Sequence, residues 1–155
     1  MASLTTVLAS HTLIGLDTSP FIYLFEHHPD YFPLVEEIFL YLKSPDVEGI
    51  TSIITLIETC VQPRRDGQAE LVEIYEQALL KSQQVRMYDI DLALARNAIQ
   101  LRVQYGFRVP DALQLSAALE HGATLFITND RRLAKITELQ ILILADYLPA
   151  TGNAK

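Results

Sequence analysis

Leu13-Ile14-Gly15-Leu16-Asp17-Thr18-Ser19-Pro20-Phe21-Ile22-Tyr23-Leu24-Phe25 changes its periodicity partway through. Its first four residues are a short apolar run bounded by an acid, the size of a buried strand. Ser19-Pro20 then supplies an N-cap and first-turn pair for a helix that should end near His28-Pro29. The same alternation continues along the chain. Further apolar runs near 47–51, 84–88, 124–128 and 140–144 join the first, at 13–17, as candidate strands. Between them, helical spacing covers 31–43, 52–62 before Pro63, Gly67 to about 82, 91–105, and Pro110 to Glu120. Strands alternating with helices predict an α/β domain around a central, mainly parallel sheet of about five strands.

At 155 residues the chain is one ordinary domain, large enough to bury a core without disulfides. Residues 1–12 read as an N-terminal extension, 13–148 as the domain body and 149–155 as a tail, with both ends loose. Half the residues are apolar, yet no run reaches the roughly 20 needed to cross a bilayer, so no membrane association is expected. The first twelve residues lack the charged and apolar regions of a secretory signal, which makes a cytoplasmic location the expectation. Cys60 is the only cysteine; it excludes an internal disulfide and a Cys-rich zinc site. The net charge of −7 argues against broad binding to nucleic acid through a basic face, although Arg64, Arg65, Arg108, Arg131 and Arg132 could rim a local site.

Four acids stand beside or inside the apolar runs. Asp17 ends Leu13–Leu16, Glu58 interrupts Ile53-Ile54-Thr55-Leu56-Ile57, Asp111 follows Val109-Pro110 at a helix start, and Asp130 closes Leu125-Phe126-Ile127-Thr128-Asn129. In open parallel sheets ligands bind at the carboxyl ends of the strands, where Asp17 and Asp130 fall. Ser19 and Pro20 make Asp17 redundant as a cap, which favours a functional role for it. Glu58 shares a helix face with Ile54, Ile57 and Val61 and should therefore point toward the core; a carboxylate that escapes to the helix edge or pairs with Arg64 or Arg65 is the alternative. Asp111 favours the positive end of a helix, and Asp130 or Asn129 can cap the turn after it, so each of these also has a structural explanation. A gathered carboxylate set suits hard divalent cations such as Mg²⁺ or Mn²⁺, which activate water and neutralise charge in phosphodiester hydrolysis.

Leu16-Asp17-Thr18-Ser19, Thr55-Leu56-Ile57-Glu58, Pro110-Asp111-Ala112-Leu113-Gln114-Leu115-Ser116-Ala117-Ala118-Leu119 and Leu125-Phe126-Ile127-Thr128-Asn129-Asp130 together resemble the PIN domain, and among its members the VapC-type toxins. The order and spacing of these segments carry the resemblance, which runs from about Leu13 to Leu148. It implies a three-layer α/β/α fold, Mg²⁺- or Mn²⁺-dependent endoribonuclease activity on RNA, a homodimer, and a small antitoxin partner. By position, Asp17, Glu58, Asp111 and Asp130 would form the acidic, metal-binding tetrad, with Asp17 and Asp111 the most direct ligands and Thr128 a supporting hydroxyl. Arg64, Arg65, Arg131 or Arg132 would contact RNA phosphates.

Other readings fit less well. A haloacid-dehalogenase-like phosphatase needs a second acid two residues after Asp17, where Ser19 stands; a receiver domain pairs early acids and uses a late lysine, neither present. A PIN-fold scaffold with a vestigial site, or a PIN nuclease that is not a toxin, stays open. His27 and His28 face different ways at a helix end, Ser116 lies outside any nucleophile elbow, and no glycine-rich phosphate loop occurs.

Overall fold

The computed structural model describes residues 1–150. Strands β1 (Leu13–Leu16), β2 (Glu48–Ser52), β3 (Val85–Tyr88), β4 (Leu125–Thr128) and β5 (Gln140–Ile143) form one sheet in the order β3-β2-β1-β4-β5, with every pairing parallel. Each strand lies within one residue of its apolar run. The helices are α1 (Leu4–Ala9), α2 (Thr18–Phe25), α3 (Phe32–Tyr41), α4 (Ile53–Arg65), α5 (Ala69–Leu80), α6 (Leu92–Tyr105) and α7 (Val109–Glu120), with short 3-10 helices at Arg131–Lys135 and Leu144–Tyr147.

Alternation along the strands divides the core between two faces. Ile14, Leu16, Leu125 and Ile127 join Leu8, Phe21, Val35, Ile38 and Leu79 on one side, under α1, α2, α3 and α5. Phe126 and Ile50 join Leu101, Ala112, Leu115 and Ala118 on the other, under α6 and α7. The result is three layers, α/β/α. Gly15 is the contact that lets α7 lie flat on β1: a Cβ there would stand 2.7 Å from Ala118 Cβ and 2.7 Å from the ring of Phe126, its partner across β4. No helix among the described residues is long and apolar enough to cross a membrane.

The chain steps outward from β1 to β2 and β3, then returns to β4 on the far side of β1. The segments leaving β1 and β4 therefore part to opposite faces, opening a crevice at the carboxyl edge of the sheet. Asp17 directly follows β1, and Asp130 lies two residues past β4. This topology sets both acids at the mouth of one crevice.

Four local expectations are corrected. The N-terminus is not loose: Ser3 caps α1, Leu4 and Leu8 are buried in the core, and His11 is buried with Nδ1 2.7 Å from Thr124 Oγ1 and Nε2 3.0 Å from Gln140 Oε1. Two leucines in six residues, spaced one turn apart, suffice to dock a helix that propensity alone would not hold. Helix α2 begins at Thr18, with Asp17 rather than Ser19 as its N-cap. Pro20 is then the third helical residue, still within the first turn, where its missing N–H costs no helical bond. Helix α4 runs through Pro63 to Arg65, because a proline this close to the end removes a single bond, and burial of its ring compensates. The fourth concerns which face of α4 is buried, and it bears on the site. Of the tail at 149–155, residues 151–155 lie outside the described residues.

Candidate active site

Asp17 sits where β1 ends and α2 starts, and its carboxylate is held from two sides. Oδ1 accepts from the backbone N–H of Thr18 at 2.9 Å, and Oδ2 accepts from Thr128 Oγ1 at 2.7 Å. Thr128 is fully buried, and its hydroxyl also accepts from the N–H of Asp130 at 3.0 Å. One hydroxyl thus ties the ends of β1 and β4 together. Burial pushes the Asp17 carboxyl up to about 6; the bonds from Thr128 and Thr18 oppose that, and the nearby carboxylates Asp111 and Glu58 add to it.

Glu58 reaches the same mouth from α4, but not as the helical pattern suggests. The buried residues of α4 are Thr55, Thr59 and Pro63, while Ile57 and Val61 are 53% and 37% exposed and Glu58 is exposed. The polar face packs inward because its hydroxyls find partners: Thr59 Oγ1 donates to the Thr55 carbonyl at 2.8 Å, and Thr55 Oγ1 lies 2.7 Å from Thr51 Oγ1. A buried hydroxyl with a bond is nearly neutral, so hydrophobic spacing loses its authority here. Glu58 Oε1 accepts from Thr18 Oγ1 at 2.8 Å.

Beneath the acids lies a buried polar network whose hub is Gln114 of α7. Its Nε2 donates to Thr55 Oγ1 at 2.8 Å and to Thr18 Oγ1 at 3.2 Å, and its Oε1 accepts from Ser52 Oγ at 2.5 Å. Thr51 Oγ1 donates to the Leu16 carbonyl at 3.0 Å, so Thr55 must donate to Thr51. The directions then follow without conflict. Gln114 donates to Thr18, which donates to Glu58; Gln114 donates to Thr55, which donates to Thr51, which donates to the last residue of β1. Thr18, Thr51, Ser52, Thr55 and Gln114 are all buried, and a satisfied network of this kind fixes one arrangement of its members. None of the five was singled out from sequence. The signals were Thr51, Thr55 and Thr59 at four-residue spacing, and one long polar residue among the small and apolar residues of α7.

Asp111 lies in the first turn of α7, where Arg108 Nε donates to its Oδ2 at 3.2 Å. Asp130 caps the following 3-10 helix through the N–H of Arg132 and also receives that residue's guanidinium, Nε at 3.0 Å from Oδ1 and Nη2 at 2.5 Å from Oδ2. The Arg132 bond holds the Asp130 carboxyl below its ordinary range. Asp17 thus lies within electrostatic reach of Asp111 and Glu58, and Thr128 links it to the backbone of Asp130. As they stand, no three His, Cys, Asp or Glu side chains among the described residues close into a group that could hold a metal ion.

The four arginines suggested for RNA phosphates are scattered. Arg132 is on Asp130, and Arg131 pairs with Asp146 at 2.5 Å. Arg64 and Arg65 are exposed in the last turn of α4, with Arg64 roughly 9 Å along the helix axis from Glu58, beside Leu56, Ile57, Cys60, Val61 and Val72. His28 is a structural turn residue, its Nδ1 accepting from the N–H groups of Asp30 and Tyr31.

The PIN domain family model matches residues 14–139. No curated protein matches the chain. Among solved structures, it is similar to a chain of a toxin–antitoxin complex from Klebsiella pneumoniae, at 23% identity and TM-score 0.64, covering 86% of this chain and 97% of that one. It is similar to VapBC2 from Rickettsia felis, solved bound to a DNA fragment from its promoter, at 19% identity and TM-score 0.66, covering 84% and 98%. It is also similar to VapC20 from Mycobacterium tuberculosis, described as a sarcin-ricin loop cleaving toxin, at 18% identity and TM-score 0.63, covering 83% and 98%. At these identities the likeness is one of fold.

Proposed function

The chain belongs to the PIN domain family, and from that premise we propose that it is an endoribonuclease dependent on Mg²⁺ or Mn²⁺, the toxin of a toxin–antitoxin pair. The observation that carries the reading is Asp17: a half-buried carboxylate, fixed by Thr128 and the Thr18 N–H at the point where strand order reverses, and within electrostatic reach of Asp111 and Glu58. Burial raises its pKa and the neighbouring carboxylates Asp111 and Glu58 add to the rise, and an all-oxygen donor set of this kind fits a hard divalent cation.

Asp17 and Asp111 would hold the ion most directly, with Glu58 and Asp130 acting partly through water. When bound, such an ion polarises a phosphodiester and activates a water for in-line attack. The chain's own residues do the positioning. Thr128 keeps Oδ2 of Asp17 in place and sets the start of the Asp130 segment, while Gln114 through Thr18 keeps Glu58 turned to the mouth. Fixing the carboxylates beforehand spares the reorganisation that a mobile site would require.

Cleavage of an RNA panel with Mn²⁺ or Mg²⁺, lost in EDTA and lost in a folded Asp17→Asn variant, is the expected result. Cleavage that survives both would refute the reading. The toxin role is supported by two fold relatives, the toxin–antitoxin complex from Klebsiella pneumoniae and the sarcin-ricin loop cleaving toxin VapC20 from Mycobacterium tuberculosis. Expression of the wild type, but not of Asp17→Asn, should arrest growth, and co-expression of a small protein encoded next to the gene should relieve it.

A further inference from the structure

We propose that Arg108 and Arg132 are the site's built-in counter-ions, which occupy Asp111 and Asp130 until a divalent cation displaces them. The inference rests on the metal-dependent reading above and adds to it what the cation must compete with. The four acids fall into two kinds. Asp17 and Glu58 are held only by hydroxyl and N–H donors, which leave their charge intact. Asp111 and Asp130 are held by guanidiniums, and these meet Asp130 as a two-pronged fork and Asp111 through a single Nε.

Both arginine side chains are mostly in water, 66% exposed for Arg108 and 60% for Arg132, so neither anchors the core. The carboxylates they meet are less exposed, 14% for Asp111 and 26% for Asp130, so each guanidinium swings from the water side over a fixed acid, held by one bond at Asp111 and by a stronger fork at Asp130. The two pairs also sense each other: Arg108 helps lower Asp130, and Asp111 acts on Arg132. They form one cationic patch over half of the acid cluster. An ion that takes Asp111 or Asp130 must release a guanidinium, and the released group stays at the rim of the same mouth, suited to a phosphate oxygen.

The test is calorimetric titration of Mn²⁺ into the full chain as wild type, Arg108→Gln, Arg132→Gln, Asp17→Asn, and Arg86→Gln. The last removes the same charge from the opposite edge of the sheet, where Arg86 pairs with Glu48. Arg108→Gln and Arg132→Gln should each bind Mn²⁺ roughly threefold to tenfold more tightly than wild type, Arg86→Gln within about twofold, and Asp17→Asn hardly at all. If wild type binds Mn²⁺ through Asp17 but the Arg108 and Arg132 variants bind no more tightly than Arg86→Gln, the counter-ion proposal falls and the nuclease reading stands. If wild type shows no Asp17-dependent binding, both fall. A second measurement needs no variant: the Nε–H signals of Arg108 and Arg132 should shift in nitrogen–proton spectra as Mg²⁺ saturates the protein. Signals unmoved at saturation would overturn the proposal.

Discussion

Asp17→Asn should make the protein more stable while it abolishes the proposed activity. The Asp17 carboxyl stands at about 6 in the fold against an ordinary 3.8, a rise of about two units. At about 1.4 kcal/mol per unit, the ionised form costs the fold up to about 3 kcal/mol. Asparagine keeps an oxygen for the Thr18 N–H, but presents an amide to Thr128, whose hydroxyl must turn to accept it; that reduces the gain to about 1–2 kcal/mol. The sign follows from the raised pKa. Between pH 4 and 6 the unfolded chain has already released the proton that the folded chain still holds, so ionisation favours unfolding as pH rises. The variant should therefore be less stable than wild type by about 1–2 kcal/mol below pH 4, gain on it from pH 4 to 6, and hold a level advantage above 6. Thermal melts in EDTA at several pH values measure it, with an expected difference of roughly 2 to 8 °C at pH 7.5. A difference that does not depend on pH, or a variant less stable than wild type at pH 7.5, would refute the reasoning. Millimolar Mn²⁺ should narrow the gap by stabilising only the wild type.

Urea unfolding checks three further expectations. Gly15→Ala should cost about 1–3 kcal/mol, because the added carbon meets both Ala118 and Phe126, and pairing it with Ala118→Gly should recover part of the loss. Leu8→Ala should cost about 2–4 kcal/mol, far more than a change in a loose terminal segment would. Gln114→Leu leaves Ser52, Thr18 and Thr55 short of partners and should cost about 2–4 kcal/mol, with RNA cleavage falling further than the loss of folded protein explains.

The strands were readable because a strand buried on both faces leaves an apolar run with nothing to confuse it, as in Leu125–Thr128, all four residues of which are buried. The position of Asp17 was readable for the same reason, since the acid ends such a run. Its role as a cap was not, because Ser19-Pro20 is a better local signal and loses only to the need for the chain to turn as soon as β1 ends. The exposure of Glu58 was hidden more deeply. Hydrophobic spacing assumes that the buried face is the apolar one, and in α4 the buried face is Thr55, Thr59 and Pro63. Gln114 could not be recognised as a hub from one strand of sequence, since its partners come from β2, α2 and α4 and meet only in the fold.

These two failures share a cause that bears on function. A site that gathers charge needs rigid support, and apolar packing cannot hold a carboxylate, because it offers nothing to its lone pairs. The support must therefore be polar, buried and fully satisfied, which turns a face of α4 inward against its hydrophobic pattern and places a glutamine amid the alanines and leucines of α7. The arginine pairs at the rim obey the opposite logic. Their guanidiniums stand mostly in water, and they neutralise Asp111 and Asp130 without fixing them through the core. Rigid hydroxyls below and exchangeable guanidiniums above let the crevice keep its shape while its charge is rebalanced, which is what a site needs if it is to take up a cation and then a polyanion in turn.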